Sequence, residues 1–285
     1  MTAGAAFVAM ALSLAACSSS STSTSSTPAT TSSGSASASA GNLSGTLNGS
    51  GSTFQLTYQQ AAIQSFKTVQ PGVTVNYGGG GSGKGRTDLA SGVVQYAGSD
   101  STIPAADQSQ FKGTVLYFPV VIGPISVAYN LSGVTTLKLT PTVIADIFQG
   151  KITNWNNSAI TSINSGVTLP NQAITIAVRS DSSGTTQNFS LFLEKAAPNW
   201  TLGSSSTIKW PGTARAGNGN GGVAQIVKST PGAIGYVDYS DAKATGLSSA
   251  EAQNKAGNYV APSPESATAA ADGTTVEPNL TFHAV

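Results

Sequence analysis

The octapeptide Arg179-Ser-Asp-Ser-Ser-Gly-Thr-Thr186 gathers residue types that can hold a tetrahedral oxyanion. Arg179 offers a guanidinium whose planar fork matches two oxygens of such a group at once. Asp181, two residues on, can hold that fork in place. Ser183 and Thr185 supply hydroxyls, and Gly184 lets the backbone approach a ligand closely. The flanking residues supply a reason for these groups to converge. Residues 173–178 carry Ile174 and Ile176 in alternation with Thr175 and Ala177, the period of a strand. Residues 187–195 carry Phe189, Phe192 and Leu193 at helical spacing. A strand, a Ser/Gly/Thr turn and a helix, in that order, leave free backbone N–H groups at a helix N-terminus. Such a terminus carries about half a positive charge and attracts anions. Taken alone, the octapeptide also fits a plain capped helix beside an exposed arginine.

Two more junctions of the same kind lie upstream. Gly49-Ser-Gly-Ser-Thr-Phe54 follows a short predicted strand, residues 43–47, and opens a helix that runs to about residue 68. Phe54, Tyr58, Ala61, Ala62 and Phe66 make the expected buried stripe of that helix. Val73, Val75 and Tyr77 alternate as a strand. Gly78-Gly-Gly-Gly-Ser-Gly-Lys-Gly85 then precedes a predicted helix over residues 86–91. Gly78, Gly83 and Lys84 fit a nucleotide-binding P-loop, but Gly85 stands where that loop needs Ser or Thr for Mg²⁺. The loop can still present N–H groups and Ser82 to an anion. Lys84 and Arg86 read as solvated or rim residues.

Further along, Thr140-Pro141 caps a helix ending at Gly150, with proline at its first position. A glycine-rich loop over 217–222 precedes a helix to about residue 229, and 233–236 is a short strand. Strands alternating with helices predict an α/β architecture with mostly parallel sheets, and no repeat of 20–50 residues is present. Ligands of such sheets sit beyond the carboxyl ends of the strands. The simplest arrangement has two lobes, each offering helix N-termini to one ligand in a cleft.

Composition narrows the setting. With 285 residues the chain can form one or two domains with a sizeable core. Only 9% of residues are charged and the net charge is +1, which excludes a basic nucleic-acid surface. Residues 5–16 are apolar but too short to span a membrane comfortably. They end in Leu14-Ala15-Ala16-Cys17, which resembles a bacterial lipoprotein signal cleaved before Cys17 so that its thiol carries diacylglycerol. As the single cysteine, Cys17 cannot form an internal disulfide. No Lys or Arg precedes the apolar run, so the natural start is expected upstream of Met1. Residues 18–40 are almost wholly Ser, Thr and Ala. They lack the apolar surface that offsets ordering entropy and are expected to form a flexible tether.

Five motifs stand in a telling order: Gly-Ser-Gly-Ser-Thr-Phe54, Tyr-Gly-Gly-Gly-Gly-Ser82, Ala-Gly-Ser-Asp100, Arg179-Ser-Asp-Ser-Ser-Gly-Thr185 and Pro-Gly-Ala-Ile-Gly-Tyr236. Over residues 43–264 they resemble the phosphate-binding proteins of bacterial high-affinity phosphate ABC importers. The resemblance implies a type II periplasmic-binding-protein fold, with two lobes joined by two hinge crossings and a dehydrated phosphate in the interlobe cleft. Carried over position by position, the phosphate contacts are Thr53, Phe54 through its backbone N–H, Ser82 and Asp100 from one lobe. Arg179, Ser183, Gly184 and Thr185 come from the other, and Asp181 is the acidic partner of the arginine.

After the signal (1–17) and the tether (18–42) read from the residues themselves, the resemblance divides the chain into a first lobe (43–122), a second lobe (123–260) and a return to the first lobe (261–285). It implies a monomer without cofactor, tethered at Cys17 to the outer face of the cytoplasmic membrane, that serves the transmembrane permease subunits of an importer. The family continues well beyond the equivalent of Pro264. This sequence is therefore expected either to be a fragment or to complete its first lobe differently. His283 reads as part of a returning strand over 280–285, with no second His or Cys for a metal site.

Asp100 decides between ligands. Phosphate near neutral pH keeps a P–OH that can donate to a carboxylate, whereas sulfate has nothing to donate. Unpaired acceptors and like charges then disfavour sulfate by about 10³-fold or more. Two other readings stay open: a binding protein for another oxyanion such as molybdate, or an exported phosphatase with Ser82 or Ser183 as nucleophile. The second needs a base within reach of the serine, and the chain has one histidine, far along at 283.

Overall fold

The computed structural model describes residues 42–282; Cys17, all but the last residue of the tether, and His283 lie outside them. The first sheet is built from β1 (Gly45–Gly51), α1 (Leu56–Val69), β2 (Val73–Gly80), α2 (Ser82–Ala90) and β3 (Tyr96–Gly98), in the strand order β2-β1-β3. Both of its pairings are parallel, because a helix carries the chain back between successive strands. All three strands therefore end on one side. There they deliver Ser52 and Thr53, Ser82, and Asp100.

β4 (Ile125–Tyr129) opens the second sheet, followed by β5 (Lys138–Leu139), α3 (Pro141–Phe148), α4 (Ser158–Thr161), β6 (Thr175–Arg179) and α5 (Gly184–Ala196). β7 (Arg215–Gly217), α6 (Gly219–Ser229), β8 (Ala233–Asp238), α7 (Tyr239–Thr245) and β9 (Ser248–Ser249) complete it in the order β7-β6-β8-β4-β9. β6 is parallel to β7 and β8, while β4 runs antiparallel to β8 and β9, so this sheet is mixed rather than mostly parallel. β10 (Glu251–Gln253) and β11 (Tyr259–Val260) join β5 in a small third sheet, and α8 (Pro264–Asp272) follows. Residues 119–122 and the stretch after α8 line one shared apolar groove.

The second sheet carries the dense core. Every residue of β8 is buried, as its position between two neighbours requires. Phe148 meets Phe189 edge-on at 4.9 Å, and Phe189 stacks on Tyr236 at 4.5 Å. Contacts of this kind add about 0.5–1.5 kcal/mol each beyond burial. Trp155, in a turn, is wholly buried and donates its Nε1–H to the Gly232 carbonyl at 2.9 Å. Thr140 caps α3 as expected, its Oγ1 accepting from the Val143 N–H at 3.2 Å.

The first sheet is covered differently. No residue of α1 is buried, and Tyr58 and Phe66 of the expected stripe are 40% and 39% exposed. The stripe has the right period, but only Phe54, whose ring stands against Gly123, and Ala62 are half-buried, while Tyr58, Ala61 and Phe66 stay exposed. Several element bounds also move. β1 begins at Gly45 and extends to Gly51, past the predicted 43–47, because its pairing with β2 continues through the glycines. α2 starts at Ser82, four residues early, capped by Gly81 at φ 91, where glycine is at ease. α6 starts at Gly219, inside the stretch read as a loop. Residues 280–282 form no strand.

Candidate functional site

Arg179 ends β6 and is 6% exposed. Its N–H donates to the Tyr236 hydroxyl at 3.2 Å, and that hydroxyl pairs with Thr186 Oγ1 at 2.7 Å. The aromatic core thus fixes where the arginine leaves the sheet. Its Nε donates to Asp181 Oδ1 at 2.8 Å and its Nη2 to Oδ2, the two-point pairing expected from the sequence. The Gly219 N–H donates to the same Oδ1 at 3.0 Å. Burial pushes the Asp181 carboxyl upward, but the bonds from Arg179 and Gly219 outweigh it and hold the group below the usual carboxylate range.

Ser183 caps α5, its Oγ accepting the Thr186 N–H at 3.1 Å, so its own hydroxyl hydrogen stays free to donate. Gly184 and Thr185 are the first residues of α5, and their N–H groups have no acceptor within the helix. Thr185 Oγ1 receives a long bond, 3.4 Å, from Arg179 Nη1.

The first sheet contributes Asp100. Its Oδ1 accepts from the Ser52 hydroxyl and its Oδ2 from the Ser82 hydroxyl at 3.2 Å. Ser82 Oγ in turn accepts the Asp100 N–H at 3.2 Å. Burial raises the Asp100 carboxyl above its ordinary value, against the opposing pull of Ser52, Ser82 and Arg179. The Phe54 N–H is not idle: it donates to Ser52 Oγ at 3.1 Å, so a ligand there would share it.

The two sheets meet through these junctions. The Gly83 N–H donates to the Ser182 carbonyl at 3.0 Å, and Asn188 Nδ2 to the Asp100 carbonyl at 2.8 Å. A Cβ built on Gly184 would stand 2.5 Å from Ser82 Oγ and 2.8 Å from Asp100 Cβ. Thr53, Ser82 and Asp100 are therefore brought against Arg179, Ser183, Gly184 and Thr185. The cleft is closed.

Sequence reasoning missed several members. Ser52 and Asn188 hold Asp100, and Asn220, wholly buried, reaches Thr53. Asn220 stands at a fourth strand–glycine–helix junction, β7 to α6, and that pattern was the available signal. Arg86 needs correction: its Nη1 donates to Ser99 and Ser101 hydroxyls at 3.1 and 2.9 Å, bracing the loop that carries Asp100 rather than sitting in solvent. Lys84 pairs with Asp88 on the exposed side of α2 and matches the rim assignment.

Comparison with known proteins gives this geometry a family. A profile of the PBP superfamily domain matches residues 22–280. Phosphate-binding protein PstS of Pasteurella multocida is 40% identical over 230 residues, covering 79% of this chain and 66% of that one. Phosphate-binding protein PstS3 of Mycobacterium bovis is 38% identical over 217 residues, covering 74% of this chain and 58% of that one. The chain thus spans less than two thirds of the length of these relatives. Among solved structures, a high-affinity periplasmic phosphate-binding protein (PfluDING) bound with phosphate superposes with a TM-score of 0.65. It is 24% identical and covers 83% of this chain and 72% of its own, a likeness of fold. Two α/β sheets whose strand ends face one cleft, matched along nearly the whole described length, have one assignment: the chain belongs to the PBP superfamily and has the periplasmic-binding-protein fold.

Proposed function

We propose that this chain captures inorganic phosphate by closure of its two lobes and delivers it to the permease of a phosphate ABC importer. One observation carries the reading: Asp100, a half-buried carboxylate, faces a site otherwise made of donors. The donors are the Thr53, Ser183 and Thr185 hydroxyls, the Arg179 guanidinium, and the N–H groups of Phe54, Gly184, Thr185 and Ser82, whose own hydroxyl hydrogen is given to Asp100. A buried anion needs such a number of them. A lone acceptor among donors suits a ligand that still bears a proton. The PstS relatives, named for phosphate binding, support the same ligand.

The lobes of this reading are residues 43–122 and 123–260, with 261–285 returning to the first, and the working form is a monomer. Residues 1–17 are its lipoprotein signal, and diacylglycerol on Cys17 holds it at the outer face of the cytoplasmic membrane. Cys17→Ala should release the protein into the medium; retention after alkaline washing would refute the anchor. Titration calorimetry with phosphate and then sulfate tests the ligand, and equal affinities would overturn the choice of phosphate. The reading assigns no catalysis. Turnover of p-nitrophenyl phosphate above background would reverse that assignment.

A further inference from the structure

We propose that Asn220 forces two hydroxyls of the cleft to act as donors and latches the lobes together; the ligand side of this inference rests on the phosphate reading. Asn220 is wholly buried near the start of α6. Its Oδ1 accepts the Asp238 N–H at 3.3 Å. A main-chain N–H can only donate, so the amide is oriented with its NH₂ toward the cleft. That NH₂ donates to Thr53 Oγ1 at 3.2 Å and reaches Thr185 Oγ1 at 3.5 Å. The Asn220 backbone N–H also donates to Thr53 Oγ1, at 3.1 Å.

A hydroxyl has two acceptor positions and one hydrogen. Both acceptor positions of Thr53 are taken by Asn220, so its hydrogen must point elsewhere, and among the described residues nothing accepts it. Thr185 Oγ1 is in the same position, between Arg179 Nη1 at 3.4 Å and the Asn220 amide. Both hydroxyls thus offer hydrogens to an oxyanion, and Asp100 keeps the acceptor role alone.

Thr53 follows a strand of the first sheet and Asn220 a strand of the second, so their bonds exist only when the cleft is shut. In an open cleft, water can pair with Thr53 in either sense. For Thr53, closure and the donor setting are therefore one event, whereas Thr185 is set by Arg179 and Asn220 within the second lobe.

Three full-length variants test this: Asn220→Ala, Asn220→Asp and Thr53→Val, with Asn220→Ala also made in the Thr53→Val background. Asn220→Ala should weaken phosphate binding by about 10-fold, the scale of one lost hydrogen bond in a buried site. In the Thr53→Val background the same change should cost less than about 3-fold, since the shared bond is already gone. Asn220→Asp keeps the volume and the bond from Asp238 but presents an acceptor to Thr53. It should weaken phosphate more than alanine does, the reverse of what a packing role predicts. Without any phosphate, amide exchange at Gly83, whose N–H crosses to Ser182, should quicken in Asn220→Ala, while β8 amides hold their protection.

Equal losses in both backgrounds, an aspartate variant milder than alanine, or unchanged Gly83 exchange would each overturn the proposal. A wild type that fails to bind phosphate refutes the phosphate reading instead, and the Gly83 comparison still decides the latch.

Discussion

Asp100→Asn separates strength of binding from choice of ligand. In the native site both carboxylate oxygens accept serine hydroxyls, Ser52 on Oδ1 and Ser82 on Oδ2. The carboxylate keeps lone pairs for a ligand proton but has no hydrogen to give. Phosphate meets it through P–OH. Sulfate meets it acceptor to acceptor, with like charge added. An unsatisfied buried acceptor costs about 1–3 kcal/mol, more when charged, so the two penalties together reach roughly 4 kcal/mol, about 10³-fold. In the asparagine variant, Oδ1 can still accept from Ser52 while the NH₂ turns toward the ligand and donates to any oxyanion. Phosphate affinity should change by less than about 10-fold, and the phosphate-to-sulfate ratio should fall to within about 10-fold, since one amide donor serves both anions. Titration calorimetry at one pH reads both numbers. The native protein supplies a control by titration: burial raises the Asp100 carboxyl, so lowering the pH protonates it early and hands sulfate a donor. Native sulfate binding should therefore strengthen as the pH falls, and that gain should vanish in the variant. A variant that keeps the native ratio shows that the carboxylate does not read the ligand's proton, and the argument for phosphate over sulfate falls.

Arg179→Ala removes the full positive charge of the site and leaves Asp181 buried with only the Gly219 N–H. Phosphate binding should drop by at least about 2–3 kcal/mol, roughly 30- to 150-fold, with a lower melting temperature; a loss below 5-fold in calorimetry would refute the role. Gly184→Ala places a methyl 2.5 Å from Ser82 Oγ on a helical backbone that tolerates alanine. The second lobe should melt normally while closure is blocked, at about 1–3 kcal/mol or 5- to 150-fold in phosphate affinity; unaltered affinity would mean that the junctions do not meet in the bound form. Asp241 is pushed up to about 8, first by burial and then by Asp238, so its folded pKa lies above its unfolded one. The stability that Asp241 contributes should be full below about pH 4 and be lost as pH rises toward 8; Asp241→Asn should flatten that decline in melting scans, and a variant that keeps the native pH profile would show that Asp241 is not its source.

What could be read from the chain beforehand was local. Arg179 and Asp181 stand two residues apart at a strand end, so their pairing needs no knowledge of the rest of the fold. The same holds for Ser183 as a cap and for Thr140 before Pro141, where a few residues decide the geometry. The bonds that shut the cleft could not be read that way. Thr53 and Asn220 are separated by 167 positions and Asn188 and Asp100 by 88, and nothing in their neighbourhoods names the partner. α1 marks another boundary. Its apolar period told which face should be covered, but period alone does not say whether a covering element exists, and Tyr58 and Phe66 stay in contact with solvent. Strand direction escaped in a related way. The run of strands and helices suggested parallel pairing, yet β4 enters the second sheet beside β8 and β9 in the opposite sense.

The glycine-rich loop before α2 shows how one sequence pattern can serve two kinds of chemistry. A nucleotide site uses such glycines so that backbone can wrap phosphates, and its Ser or Thr holds Mg²⁺. In this chain the glycines answer to two close approaches. A Cβ on Gly85 would lie 2.7 Å from Gly51 Cα, so α2 can rest directly on β1 only if that position is bare. On the opposite side, Gly81 and Gly83 pass against Asp181 and Ser182 of the second lobe, where any side chain would hold the cleft open. Ser82 stands between these contacts, buried, with its hydroxyl on Asp100. The loop resembles a phosphate cradle because it meets the same steric demand, bringing bare backbone into close approach, here to Asp181 and Ser182. Its glycines set how near the two lobes come, and the hydroxyl between them shares in fixing what they enclose.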